Sequence, residues 1–388
     1  MFLAATRRRN PQLIAVAARL HAEGRLPAGC YVVDLDTVAA NARLVSDAAG
    51  RLGLTCWQMT KQFGRNPLIA ASVAAAGVPG VVAVELAEAR VLHAHGLRIG
   101  HLGHLVQVSR HGLAEALSFT PEHLTVFGVE QAAAVGAAAR AAGVIQQLLL
   151  RVVRPGDRFF EAQRGGVHLD DVLEAARAID AIAGVQLVGV TTFPCVAWDE
   201  EAGDVVATPN LETIRAARDT LREAGFAAAV MNAPGVTCVA TLGIVAAAGA
   251  THVEPGSALI GETPWHAAND ANERPAMVYV TEVTHELDGL LYTLGGGFYA
   301  RSRMRSALVF GDGEPIEAAA VELPAAEIDY YGALRMPAGE RAAIGATAVY
   351  AFRAQAFVSR APVAVVGGVA GDDPQVLGVF SRDGSPLS

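Results

Sequence analysis

The chain has 388 residues, 52% of them hydrophobic, and carries a net charge of −9. That apolar content suffices for a large core in one or two domains and excludes a disordered chain. With no basic cluster beyond Arg7, Arg8 and Arg9, the charge balance argues against a nucleic-acid partner.

Residues 1–28 read as an amphipathic N-terminal arm. Its apolar stretch LIAVAA is short and soon met by Arg19 and His21, which speaks against a secretory signal. YVVDL (31–35) is a short strand, and TVAANARLVSDAAGRLG after it is a helix with Asp36 available as N-cap. Eight apolar runs then alternate with alanine-rich helical segments: 54–60, 80–84, 97–102, 123–127, 145–153, 184–192, 226–232 and 251–255. This alternation predicts a (β/α)8 barrel over 29–265, preferred to a doubly wound sheet because no G-x-G-x-x-G follows the first strand. The uncharged stretch 226–250 is long enough to span a bilayer. NAPG at 232–235 interrupts it, so a strand, a turn and a buried helix are expected instead of a membrane span. From residue 275 the pattern changes to period two with LDG and GGG turn signals, which predicts an all-β domain over 275–388, joined through WHAANDANERP. Cys30, Cys56, Cys195 and Cys238 form no C-x-x-C pair. Reduced thiols in a cytoplasmic protein are expected, with no zinc site.

The thirty basic residues are 29 arginines and one lysine, Lys61, at the end of the first barrel run in CWQMTKQFG. Arginine replaces lysine freely on a surface, but guanidinium keeps its proton, whereas a desolvated lysine can lose one and attack a carbonyl. A lone lysine flanked by Trp57, Met59 and Phe63 therefore points to a chemical role. Barrel enzymes gather their chemistry at the C-terminal strand ends. Placed there are Lys61, then His101, His104 and Gln107 after the third strand, and Arg154, Arg158 and Arg164 after the fifth. TTFPC ends the sixth, NAPGVT the seventh and HVEPGS the eighth. The last two read as strand, glycine turn and helix start, where a phosphate is commonly held. Gly235, Val236 and Thr237 would form one half of that cup and Gly256 with Ser257 the other.

YVVDLDTVAANARLV, MTKQFGRNP, GHLGHLVQ and VEPGSALIGETP resemble the fold-type III pyridoxal phosphate (PLP) enzymes: the alanine racemase, ornithine decarboxylase and D-threonine aldolase groups. They look most like the YhfX-type branch. The resemblance implies pyridoxal 5′-phosphate held as a Schiff base on Lys61, with phosphate contacts from Gly235, Thr237, Gly256 and Ser257. His104 is placed in the cofactor site. Phe193 falls where many relatives carry a histidine against the ring, and Glu254 where ornithine decarboxylase-like enzymes have glutamate beside the ring nitrogen. A carboxylate there favours the protonated ring, a strong electron sink; a helix-capping role is the alternative reading of Glu254. Relatives are head-to-tail homodimers, which makes Tyr299 or Tyr331 candidates for a second acid–base group, with Tyr330 beside the latter. No metal is expected, because the β-domain lacks the histidine–cysteine or histidine–aspartate spacing of the metal-dependent relatives. The expected activity is racemisation of a free amino acid through a carbanion. A decarboxylase or lyase on the same scaffold, and a non-catalytic PLP carrier, are the alternatives.

Overall fold

In the computed structural model, residues 1–299, 302–311 and 313–387 are described. The chain divides into two compact units. One comprises Arg43–Thr60 and Val73–Gly256; the other comprises Met1–Ala42, Lys61–Ser72 and the chain from Ser257 onward.

The first unit is a closed barrel of eight parallel strands: Thr55–Met59, Gly80–Ala83, Arg98–Leu102, His123–Val126, Gln146–Val153, Val185–Thr191, Val230–Asn232 and His252–Val253. Each pairs with the next, and closure comes from His252 opposite Thr55 and Val253 opposite Cys56. Leu149 of the fifth strand joins Trp57, Met59, Val82, Val84, Val188 and Val230 in a buried cluster within the barrel. Trp57 fills the interior so fully that a Cβ on Gly100 would fall far inside contact distance of its indole. The rings of His252 and His123 pack on the same indole, at 4.3 and 5.1 Å between centroids. Burial holds both imidazoles neutral, lowering His123 to about 3 and His252 to about 4. One feature was not expected: after the sixth strand, Val196–Asp199 and Asp204–Ala207 form an antiparallel hairpin.

The second unit is built on a nine-stranded sheet. Its long strand Met277–Leu287 pairs antiparallel with Leu290–Leu294, with Thr347–Tyr350 and with Cys30–Asp34. Cys30–Asp34 in turn lies parallel to Val363–Gly367. The YVVDL strand, expected at the head of a continuous barrel segment over 29–265, is therefore an inner strand of the β-sheet. A short apolar run is equally at home in either sheet, and its register with Val278 and Val363 decides the matter. The N-terminal arm forms two helices, Phe2–Arg9 and Pro11–Ala22, the second capped by Asn10, whose Oδ1 accepts from Leu13 N–H. Their apolar faces, with Phe2, Leu13, Ile14 and Leu20, pack with Val32, Val278 and Val349 in one core. Among the described residues, no helix is long and apolar enough to cross a membrane.

Candidate active site

Side chains alternate in and out along a barrel strand, so the last inward residue of each strand faces the C-terminal mouth. Four successive strands place polar residues there: Arg151 on the fifth, Thr191 on the sixth, Asn232 on the seventh, and Glu254 directly after the eighth. All four are buried. Glu254 Oε1 accepts from Asn232 Nδ2 at 2.8 Å and from His101 Nδ1 at 2.6 Å. A carboxylate only accepts, so the proton of His101 sits on Nδ1. Its Nε2 lies 2.6 Å from Thr125 Oγ1. Asn232 Nδ2 also reaches Thr191 Oγ1 at 3.2 Å.

Burial by itself raises the carboxyl pKa of Glu254. His104, His101 and the Asn232 amide outweigh that and bring it down to about 2. Its second oxygen, Oε2, lies 3.6 Å from His104 Nε2 and has no hydrogen-bond partner among the described residues. His104 meets the Phe193 ring edge-on at 5.7 Å, and Phe160 lies 5.8 Å beyond. Thus the structure gathers Glu254, His104 and Phe193 in one cluster. The helix-capping reading of Glu254 does not hold, since turns follow it and the next helix begins only at Pro264.

The seventh-strand turn is only partly the expected cup. The Val236 amide donates to the Val196 carbonyl at 2.9 Å and the Cys238 amide to Thr241 Oγ1 at 3.0 Å. Both are spent, which leaves Gly235 and Thr237 as the candidate phosphate donors there. Gly235 is a glycine for a second reason: a Cβ would collide with the Val196 backbone of the inserted hairpin. The expected helix after the eighth-strand turn is absent. Gly256 and Ser257 enter turns closed by Glu262 N–H on the Ser257 carbonyl at 2.8 Å.

Residues 33–264 match the family described as "Alanine racemase, N-terminal domain", and residues 278–376 match "YhfX-like, C-terminal domain". The chain belongs to the alanine racemase-like family. It is 38% identical to the "Uncharacterized protein YhfX" of Escherichia coli (strain K12) over 100% of both chains. Solved structures share the fold at lower identity. The D-threonine aldolase from Filomicrobium marinum is 16% identical with a TM-score of 0.69, over 92% of this chain and 98% of its own. The alanine racemase of Clostridium difficile 630 is 14% identical with a TM-score of 0.62, over 92% of this chain and 99% of its own. The scaffold is thus that of the fold-type III PLP enzymes, which serves more than one reaction.

This family binds pyridoxal phosphate, and the barrel mouth suits that group. Glu254 Oε2 is a buried, anionic acceptor lacking a donor, which a protonated ring nitrogen would supply. His104, Glu254 and His101 also place three potential metal-ligand atoms within 4.8 Å of one another. The 2.6 Å contact from His101 Nδ1 to Oε1 is, however, a proton-bearing hydrogen bond that a cation would have to displace.

In the other unit, Lys61 opens the one-turn helix Lys61–Phe63, and its Nζ lies 5.9 Å from the Phe357 ring. Arg65 approaches the same ring at 5.9 Å. The Tyr299 hydroxyl donates to the Arg353 carbonyl at 2.9 Å. Tyr331 is 45% exposed and packs edge-on to His285, and Tyr330 lies under the Arg360 guanidinium. The loop after the fifth strand walls a cavity of about 490 Å3, where Arg164 is paired with Glu161 at 2.7 Å. Sequence reasoning passed over Arg151, and it placed Thr191 and Asn232 at the barrel mouth within TTFPC and NAPGVT without singling them out. Their signal was a polar residue within the last turn of an otherwise apolar strand.

Proposed function

We propose that the protein is a PLP-dependent amino acid racemase working as a homodimer. The observation that carries the PLP part of this reading is the buried Glu254 carboxylate, held ionised by His104, His101 and Asn232, with Oε2 lacking a hydrogen-bond partner among the described residues. Its support is the single lysine after the first barrel strand, in a chain that otherwise uses arginine. When bound, pyridoxal phosphate supplies an electron sink that stabilises negative charge at the substrate Cα. Lys61 would hold the cofactor carbonyl and move the Cα proton on one face. Glu254 would keep a proton on the ring nitrogen through a charge-assisted hydrogen bond. Phe193 would cover the ring and exclude water, while Gly235, Thr237, Gly256 and Ser257 would hold the phosphate. A tyrosine, Tyr299 or Tyr331 from a second copy of the chain, would carry the proton on the opposite face.

The test is a screen of the purified, PLP-loaded protein against free amino acids, following optical inversion and CO2 release together. Inversion without CO2 supports the racemase. CO2 release, or cleavage of a side chain, moves the protein to decarboxylase or lyase chemistry on the same scaffold. PLP binding with no turnover of any amino acid would make it a carrier.

A further inference from the structure

Arg151 is wholly buried, and its guanidinium is poorly satisfied for a charge so far from water. Nη2 donates to the Gln163 carbonyl at 2.6 Å. The ring of Phe127 lies under the guanidinium at 4.8 Å. Nε and Nη1, which together carry three of the five N–H donors, have no hydrogen-bond partner among the described residues, and no carboxylate pairs with Arg151 there. Burying a cation without an anion costs several kcal/mol. Burial lowers the Arg151 pKa only to about 10, so it stays charged at neutral pH.

Its position says where the missing anion comes from. Arg151 stands opposite Thr191 in the strand register. Thr191 bonds Asn232, and Asn232 bonds Glu254. The fifth strand lies three strands around the barrel from the eighth, and Arg151 shares a register layer with Thr191 and Asn232. The surroundings hold it there. Phe127 is backed by Gly165, where a Cβ would lie 2.7 Å from the Phe127 ring, and Gly166 packs against the Arg151 backbone. Arg164 in the loop outside is a poorer anion site, since it already has Glu161.

We propose that Arg151 receives the α-carboxylate of an amino acid substrate. This deepens the PLP reading and rests on it. A guanidinium matches a planar carboxylate better than any other cation in the protein repertoire. The assignment bears on the reaction. Loss of CO2 converts a carboxylate to a neutral molecule, so a buried cation holding that carboxylate opposes the step. Loss of the Cα proton leaves the carboxylate in place and its bond to Arg151 intact.

The test titrates the PLP-loaded protein with glycine and with glycinamide, reading dissociation constants from the cofactor absorbance. Glycine is the common core of α-amino acids, and the amide removes only the charge. Comparing the glycine-to-glycinamide preference between wild type and Arg151→Met cancels the difference in amine basicity. The preference should fall about 10- to 100-fold in Arg151→Met, the worth of a charge-assisted hydrogen bond. Arg151→Lys, which keeps charge without the fork, should fall between, and it serves if Arg151→Met does not fold. A second readout needs no cofactor: formate should raise the melting temperature of wild type and not of Arg151→Met. An unchanged preference and an equal formate shift in both proteins would overturn the assignment. So would weakened PLP retention with the preference intact, since the anion would then belong to the cofactor. If the protein takes no PLP but the formate shift depends on Arg151, the carboxylate site stands and the cofactor reading falls.

Discussion

Replacing Glu254 with glutamine keeps the shape of the side chain and removes its charge. The amide oxygen would stay where His101 Nδ1 and Asn232 Nδ2 donate, at 2.6 and 2.8 Å in the native protein. Its NH2 group would then occupy the place of Oε2 and donate where the carboxylate accepts. A protonated ring nitrogen would meet a donor, and the ring would be driven to its neutral form. The carboxyl is held at about 2 against an ordinary 4.5. At 1.36 kcal/mol per unit, its ionised state is favoured by about 3 kcal/mol. Because the folded pKa is depressed, that stabilisation is present above about pH 4.5 and is lost as pH falls toward 2. At neutral pH, Glu254→Gln should therefore melt several degrees lower. It should also slow exchange of the substrate α-proton on the order of 100-fold, from loss of one charge-assisted bond. Exchange is measured by mass spectrometry in D2O over a panel of amino acids. Equal exchange in wild type and Glu254→Gln, with both proteins loaded, would refute the reasoning and leave Glu254 a structural acid.

Borohydride reduction of the PLP-loaded protein should fix the cofactor on Lys61, as read from the digested protein by mass spectrometry. Lys61→Ala and Lys61→Arg should both lose the label, since guanidinium cannot form the adduct. Mixing Lys61→Ala with Tyr331→Phe or Tyr299→Phe chains should restore part of the activity if the site is shared between two copies; verified exchange without recovery would count against sharing. His123 and His252 are neutral in the folded barrel, to about 3 and 4, but titrate near 6.5 when unfolded. Their contribution is present above pH 6.5 and is lost as pH falls. The two groups together should cost at most about 3 kcal/mol between pH 6.5 and 5, and less to the extent that the rings remain solvated. A melting temperature that stays flat over that range would contradict the burial of these rings.

The barrel was legible because parallel strands buried on both faces read as unbroken apolar runs between helices. Lys61 stood out in the sequence for a compositional reason, as one amine among guanidinium groups. Gly235 was found for only part of its reason, since the contact that demands a glycine comes from a hairpin about forty residues earlier. That hairpin itself had a signal in AWDEEAGDVV, where Gly203 has a φ of +63° in the turn. Arg151 was passed over inside LLLRVV because a window that sums hydrophobicity hides a single charge. The partner of YVVDL could not be read at all. Strand pairing across about 250 and 330 residues leaves no local mark.

That pairing bears on how the protein is made. Cys30–Asp34 is made well before its two neighbours, Met277–Leu287 and Val363–Gly367. For most of synthesis, Tyr31, Val32 and Val33 have no strand on either side, in a chain whose barrel residues already stand complete. Contacts so distant in sequence form slowly and leave an apolar edge open to other chains meanwhile. A fragment beginning at residue 275 would lack the strand that joins the two halves of its own sheet. A chain cut short before residue 363 would keep one side of Cys30–Asp34 permanently bare. Strands from residues 30–34 and from residues beyond 276 therefore form one sheet, which cannot close until the later ones have been made.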